Sequence, residues 1–350
     1  MAIDQLPHDQ LGRPLGVLRL SLTARCNLAC PYCLPDGIEP PGLLSHGQRL
    51  QLVAAAVGLG VKSLRLTGGE PLLHSGLEKL IAELQPLRAS KPGLAEIALT
   101  SNGTLLSADR ARSLRAAGLD RITLSLDGTT GTAVALMAGV SDGDALLEKV
   151  LAASEHAQAA GFDPAAGALK LNAVIQRGSN DDQLLPLAAL ARDRGIELRL
   201  IEFMDVGNRN EWSPHAVLSA AEMLEQINRR WPLEPLGRNT HSTASRWRYQ
   251  DGAGHLAVVA SISSPFCGDC NRLRVTADGI AYSCLFANPD SGLDLRPWLE
   301  QSVPISKLQS VLSQLWSQRK DRWSEQRAEA WVHGKATNRS DHAEMAYLGG

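Results

Sequence analysis

Cys26, Cys30 and Cys33 are separated by three and by two residues in the stretch Cys26-Asn27-Leu28-Ala29-Cys30-Pro31-Tyr32-Cys33, and a second set, Cys267, Cys270 and Cys284, lies toward the other end. Together they account for all 6 cysteines of the 350-residue chain. Bunched in this way, they read as ligands rather than as a disulfide framework in a reducing compartment. A zinc site closes with four ligands, whereas an iron-sulfur cube held by three cysteines leaves one iron open to a small molecule. Incidental core cysteines have no reason to gather in one Pro-interrupted loop. For the second set a zinc knuckle is the competing reading, with His255 or Asp269 as a fourth ligand.

Two other motifs carry chemistry. Arg272 and Arg274 stand at alternate positions of a strand beside the second cysteines, so both point to one face. Guanidinium forks bind phosphate oxygens well, and the pair reads as the wall of an anionic-substrate site. Gly68-Gly69-Glu70 follows a strand and is either a tight turn or a place where backbone meets a ligand closely.

The elements that must position these residues alternate. Apolar strands at 17–22, 62–66, 95–99, 121–126, 168–174 and 196–203 are interleaved with amphipathic helices near 46–59, 75–87, 107–117, 143–160 and 180–194. This pattern predicts an α/β fold, a partial (βα)6 TIM-type barrel with a C-terminal extension carrying the second iron-sulfur site. Barrel chemistry sits at the C-terminal strand ends, where Cys26, Gly69, Thr100, Ser125 and Met204 all fall. Lys170 and Asn172 lie within strand five and would point into the barrel from there. The expected segments are an N-terminal piece (1–16), the barrel (17–204), a C-terminal region (205–333) with a helix near 219–230, strands near 245–249 and 255–260 and a helix near 304–320, and a flexible tail (334–350).

Composition narrows the class. With 44% hydrophobic residues and a formal net charge of -2, the chain reads as an ordinary enzyme without the basic excess of a nucleic-acid binder. No secretory leader and no membrane-length apolar run are read, which predicts a cytoplasmic protein with no membrane partner.

The three-then-two cysteine spacing, with an aromatic residue before the last cysteine, resembles the signature of the radical SAM superfamily. Leu18-Arg19-Leu20-Ser21, Arg65-Leu66-Thr67-Gly68-Gly69-Glu70-Pro71, Ile201-Glu202-Phe203-Met204, the second cysteines with Asn271-Arg272-Leu273-Arg274, and the terminal Gly349-Gly350 together resemble the GTP 3',8-cyclase family of molybdenum cofactor biosynthesis. The resemblance implies two 4Fe-4S clusters on the two cysteine sets and S-adenosylmethionine (SAM) held by Tyr32, Gly69, Ser125 and Met204. It implies a GTP site of Arg19, Arg65, Thr100, Lys170, Arg199, Arg272, Leu273 and Arg274. Arg19, Arg272, Arg274, Gly349 and Gly350 would serve the reaction, with the Gly-Gly tail entering the site. A deoxyadenosyl radical would take hydrogen from ribose C3', and C3' would attack guanine C8. The implied partners are GTP, an electron donor and cyclic pyranopterin monophosphate synthase, with the chain a monomer or homodimer. Ser63, where the family usually has a basic residue, and His74, where it commonly has arginine, depart from the pattern, as does Gly128-Thr129-Thr130 after the strand-four aspartate. The alternatives are a radical SAM peptide maturase with an auxiliary cluster and a non-catalytic iron-sulfur or zinc scaffold.

Overall fold

Leucines at every second position give the strands two different faces. In β1 (Val17–Ser21) Leu18 and Leu20 are buried on one face while Arg19 points to the other; β2 (Ser63–Thr67) repeats this with Leu64, Leu66 and Arg65. A parallel strand covered on both faces is usually apolar throughout. Here only the outer face packs on helices, and the inner face is polar because it lines cavities.

A computed structural model describes residues 6–35, 37–332 and 342–349. After β1 come α1 (His46–Gly58), β2, α2 (Leu77–Glu83), β3 (Glu96–Ser101), α3 (Ala108–Ala117), β4 (Arg121–Ser125), α4 (Gly131–Ala138), α5 (Gly143–Ala159), β5 (Leu169–Ile175), α6 (Leu184–Asp193) and β6 (Glu197–Glu202). The remainder is α7 (Ala220–Arg230), β7 (Leu233–Gly237), β8 (Ser245–Tyr249), β9 (His255–Val259), β10 (Arg272–Val275), β11 (Ile280–Tyr282), β12 (Leu293–Asp294), α8 (Ile305–Ser317), α9 (Trp323–Val332) and α10 (Met345–Leu348). Side-chain caps set several helix starts: Ser45 and Ser219 form capping boxes on α1 and α7, and Ser107 and Asp142 accept from the first turns of α3 and α5. Among the described residues, no helix is long and apolar enough to cross a membrane.

The six expected strands run parallel in the order β1 to β6, as a (βα)6 barrel requires. The C-terminal region then does more than extend it. β9 adds parallel to β6, and β10 adds parallel to β1, so eight parallel strands form one run, with antiparallel β8-β7 and β11-β12 beyond its two ends. Side chains from β10, β1, β2, β3, β5, β6 and β9 all line one cavity, which means the sheet curls around it.

The end of the chain also corrects an expectation. Residues 342–349 are docked, with His342, Ala343, Ala346 and Leu348 buried, rather than free as a flexible tail. Glu344 accepts from the backbone N–H of Asn208 at 3.0 Å, the Asn208 amide donates to the His342 carbonyl at 2.9 Å, and the Ser21 hydroxyl donates to the Tyr347 carbonyl at 2.9 Å. The rest of that expected tail, 334–341 and Gly350, lies outside the described residues.

Candidate active site

Each cysteine set lines its own cavity. Cys26, Cys30 and Cys33 face one with Tyr32, Gly69, Thr100, Ser125, Asp127 and Met204 around them; Cys267, Cys270 and Cys284 face the other with Arg19, Arg65, Arg199, Arg272 and Arg274. Each has about 1010 Å³ of free space, part of it open to solvent, ample for a cluster and a ligand. The two adjoin, since Thr100, Asn172, Ile201 and Met204 line both.

The first cysteine loop is fixed by backbone. Gly69 N–H donates to the Thr23 carbonyl at 2.9 Å and Glu70 N–H to the Arg25 carbonyl at 2.8 Å. A Cβ on Gly69 would lie 2.2 Å from the Arg25 carbonyl oxygen, so glycine here lets the loop dock against the end of β2. Ala29 N–H donates to the Ala138 carbonyl at 3.0 Å, making α4, which Thr130 caps, a support for the loop.

Three buried carboxylates act as struts. Glu70 accepts from Ser101 Oγ and from Leu72 and Asn102 N–H, joining the ends of β2 and β3. Glu202 accepts from the N–H groups of Ala220, Ile262 and Ser263 and from the Ser263 hydroxyl. Asp127 accepts from Tyr32 Oη at 2.7 Å and Val174 N–H at 2.7 Å; burial pushes its carboxyl up to about 6, against these two hydrogen bonds.

The arginines crowd one another. Strand register places Arg19 directly between Arg65 and Arg274. Burial first, and then the neighbouring guanidinium groups, push Arg65 down to about 9 and Arg274 to about 10, while Arg19 falls well below its usual range. A guanidinium stays charged in practice, so these shifts express demand for an anion. Arg65 Nε is buried with no hydrogen-bond partner among the described residues.

The radical SAM superfamily profile matches residues 20–191, and a family described as Molybdenum Cofactor Synthesis C matches residues 196–325. The GTP 3',8-cyclases of Synechococcus sp. (strain CC9902) and Parasynechococcus marenigrum (strain WH8102) are 57% and 59% identical, each covering 98% of this chain and 98% of its own. The chain belongs to the GTP 3',8-cyclase family. Family membership extends to more distant relatives: the GTP 3',8-cyclase of Acidothermus cellulolyticus is 42% identical over 98% of this chain and 99% of its own. Among solved structures, Streptococcus suis SuiB bound to S-adenosylmethionine is similar with a TM-score of 0.60 at 14% identity, over 85% of this chain and 68% of that one, a likeness of fold.

Within this cyclase-family chain, Tyr32, Gly69, Ser125 and Met204 gather at the first cavity, and Arg19, Arg65, Thr100, Arg199, Arg272 and Arg274 at the second. Two expected residues lie elsewhere. Leu273 alternates with the arginines of β10 and is buried among the helices, 1% exposed, so its side chain lines neither cavity. Lys170 does point inward, but one pleat below Asn172. There it pairs with Glu197, its register partner on β6, at 2.6 Å and lines a separate opening with Arg121 and Arg246. The Gly349 carbonyl accepts from Arg274 Nη1 at 2.9 Å, and a Cβ on Gly349 would lie 2.2 Å from Thr67 Cγ2 and 3.2 Å from Ser21 Oγ, so the tail lies against β10, β1 and β2 together.

The departures have local accounts. Ser63 donates to Glu96 at 2.7 Å, and Glu96 accepts at 2.8 Å from Arg121, a buried cation that no motif separates from the surface arginines. His74 accepts from Gly76 N–H at 2.9 Å and sits 2.6 Å from Arg49; burial first and then the facing guanidinium hold its imidazole below the usual range. Glu70 and Glu202 stand inside recognised motifs, so their strut role was findable; Asp127 follows Ser125 and is less marked.

The donor sets fit iron-sulfur clusters. All six cysteines are free, three per cavity. Among the described residues, no three His, Cys, Asp or Glu side chains come close enough to hold one metal ion. Of the two fourth ligands the zinc reading names, Asp269 accepts from Arg238 at 2.8 Å and from His241 N–H at 2.8 Å, and His255 lines the separate opening beside Lys170. Burial pushes the Cys33 and Cys284 thiols up to about 12 and raises those of Cys26, Cys30 and Cys267. At Cys270 burial acts in the same sense, but Arg272 and Arg319 outweigh it and bring the thiol down to about 7. Ligation would therefore release protons from most of these groups.

Proposed function

We propose that this chain cyclises GTP to 3',8-cyclo-7,8-dihydro-GTP, the first step of molybdenum cofactor biosynthesis, with SAM and two 4Fe-4S clusters. What carries this reading is the adjoining of two three-cysteine cavities, one lined by arginines at three neighbouring strands, in a chain of this family. When bound, the cluster on Cys26, Cys30 and Cys33 supplies the electron that splits SAM into methionine and a 5'-deoxyadenosyl radical.

The chain's own residues bind, orient and shield. Tyr32, Gly69, Ser125 and Met204 hold SAM, with Tyr32 kept in place by Asp127. Arg19, Arg65, Arg199, Arg272 and Arg274 take the triphosphate, whose charge answers their mutual repulsion. Thr100 and Asn172, on the shared wall, lie where ribose passes between the cavities. Cys267, Cys270 and Cys284 would hold the second cluster in the cavity that takes GTP, and the docked segment as far as Gly349 closes the barrel against water. Hydrogen passes from ribose C3' to the 5' carbon of deoxyadenosine; C3' then bonds to guanine C8 as the C8=N7 double bond opens, and one electron and one proton delivered to N7 complete the product. An electron donor and the enzyme that consumes the product are the partners this reaction requires.

GTP deuterated at C3' tests the assignment. Deuterium recovered in 5'-deoxyadenosine is the expected result; 5'-deoxyadenosine free of deuterium rejects abstraction from that carbon. A peptide-maturase reading has only the likeness to SuiB, also solved bound to a precursor peptide, SuiA, and at 14% identity that is a likeness of fold.

A further inference from the structure

One guanidinium in the second cavity is turned toward a cysteine rather than toward open space. Arg319 follows α8, and its side chain is 1% exposed. Nη1 donates to the Cys270 carbonyl at 2.6 Å, and Nη2 donates to Cys270 Sγ at 3.2 Å. Its other edge is held by Asp321, with Nε 3.0 Å from Oδ2 and Nη2 3.0 Å from Oδ1. Ser283 donates to the same carboxylate at 2.8 Å, the guanidinium lies 4.7 Å from the Trp316 ring centroid, and the Arg319 carbonyl accepts from Gln10 N–H at 3.1 Å.

This makes Arg319 unlike the five arginines assigned to GTP. Every edge of its fork is engaged, two of its bonds go to one cysteine, and the packing on Trp316 prevents it from swinging toward a substrate. The first cysteine set receives donors of another kind at Cys26: Leu28 N–H at 3.5 Å and the Asn102 amide at 3.9 Å, both neutral. Cys284 receives the Phe286 N–H at 3.5 Å. A charge-assisted donor on one ligand sulfur is a lever on a cluster, because hydrogen bonds and nearby cations stabilise the reduced form, which carries one more negative charge.

We propose that Arg319 is a positioning residue for the second iron-sulfur cluster, fixing the Cys270 ligand from both its sulfur and its carbonyl and raising the cluster's reduction potential. This rests on the reading that Cys267, Cys270 and Cys284 hold a 4Fe-4S cluster. A higher potential makes the second cluster a weaker reductant than its cysteines alone would give, so reductive cleavage of SAM is left to the first.

The test is a redox titration of the full-length, fully reconstituted protein followed by electron paramagnetic resonance, with the first cluster identified as the signal that SAM changes. Arg319→Gln is expected to shift the reduction equilibrium of the second cluster about tenfold toward the oxidised form, about 59 mV for a one-electron couple, leaving the first cluster unmoved. Arg319→Lys, which keeps the charge and loses the fork, should fall between Gln and wild type. An unshifted Arg319→Gln overturns the proposal; if that variant fails to hold the second cluster, an Arg319→Lys potential equal to wild type overturns it instead. Iron separates this from failure of the underlying reading. A wild-type protein with about four irons in place of about eight, or with zinc at the second set, removes the second cluster itself and the proposal with it.

Discussion

At Arg19 a like charge stands in register on each neighbouring strand, Arg65 on one side and Arg274 on the other. Like charges directly opposite destabilise a sheet, so the arrangement is intelligible as an anion site and not as a contribution to folding. Replacing Arg272 or Arg274 by alanine should lower kcat/KM for cyclisation on the order of 100-fold while SAM cleavage without product continues. Chromatography of 5'-deoxyadenosine against cyclised product reads the ratio, and unchanged product formation in both variants would reject their role. Cys26→Ala should abolish SAM cleavage altogether; full cleavage by that variant contradicts the assignment of the first set. Glu96 gives a pH prediction. Burial opposes ionisation, but Arg121 and Ser63 hold its carboxyl down to about 2. Its folded-state value lies below the unfolded one, so it contributes stability that is present above about pH 4.3 and lost as pH falls toward 2. Glu96→Gln should therefore lower the melting temperature of the metal-free chain at pH 6 and converge with wild type near pH 2; a constant gap across that range contradicts the account. These residues were legible to different degrees. Cysteine spacing and alternating arginines announce themselves, whereas Leu273 entered the expected site through the family resemblance, and alternation along the strand sends its side chain the other way. Arg121 opens a strand and has no motif to mark it.

At the scale of elements, the parallel strands were readable from their Leu-x-Leu alternation, and their ends carry the site because a βα unit exposes those ends. α4 was missed for a physical reason: Gly131–Ala138 is short and nearly apolar all round, with no period to detect, and its use is to brace the cysteine loop through Ala138. β10, β11 and β12 are two to four residues long, too short for β11 and β12 to show a pattern. The docking of the C-terminal segment was legible only through the family resemblance, because its partners, Asn208, Ser21 and Arg274, are far away in sequence. Glu344 latches it to the loop that follows Met204, pairing with Arg209 at 3.3 Å as well as with Asn208 N–H. Glu344→Ala should loosen the tail, seen as faster amide exchange across 342–349, and should raise uncoupled SAM cleavage relative to cyclisation several-fold. Unaltered exchange together with unaltered coupling would show that the latch does not position the tail.

On the scale of the whole molecule, the second cysteine set is held by parts of the chain that lie at its two ends. Arg13 pairs with Asp9 in the interior and donates to the carbonyls of Cys267 at 2.8 Å and Asp321 at 3.0 Å, while Trp316 Nε1 donates to the Arg13 carbonyl at 2.9 Å. The expected division into an N-terminal piece, a barrel and a C-terminal region is thus crossed by the sheet and by this network. β9 and β10 flank β6 and β1, so the region after 205 contributes to both margins of the barrel. Removing one member of a buried ion pair leaves the other charge unpaired, at a cost of about 3–5 kcal/mol. Arg13→Ala should lower stability by about that amount and reduce bound iron from about eight toward about four per chain, since the loop of Cys267 loses its anchor. Full iron content at wild-type stability would show that the two ends are not coupled through Arg13.

The most direct measurement of the central claim is anaerobic reconstitution with iron and sulfide, followed by incubation with SAM, a reductant and GTP, and mass spectrometry of the products. The account predicts 5'-deoxyadenosine together with a cyclised product of the same mass as GTP but of different retention. Abundant 5'-deoxyadenosine with GTP recovered intact would contradict it, leaving the radical chemistry in place and the substrate wrong.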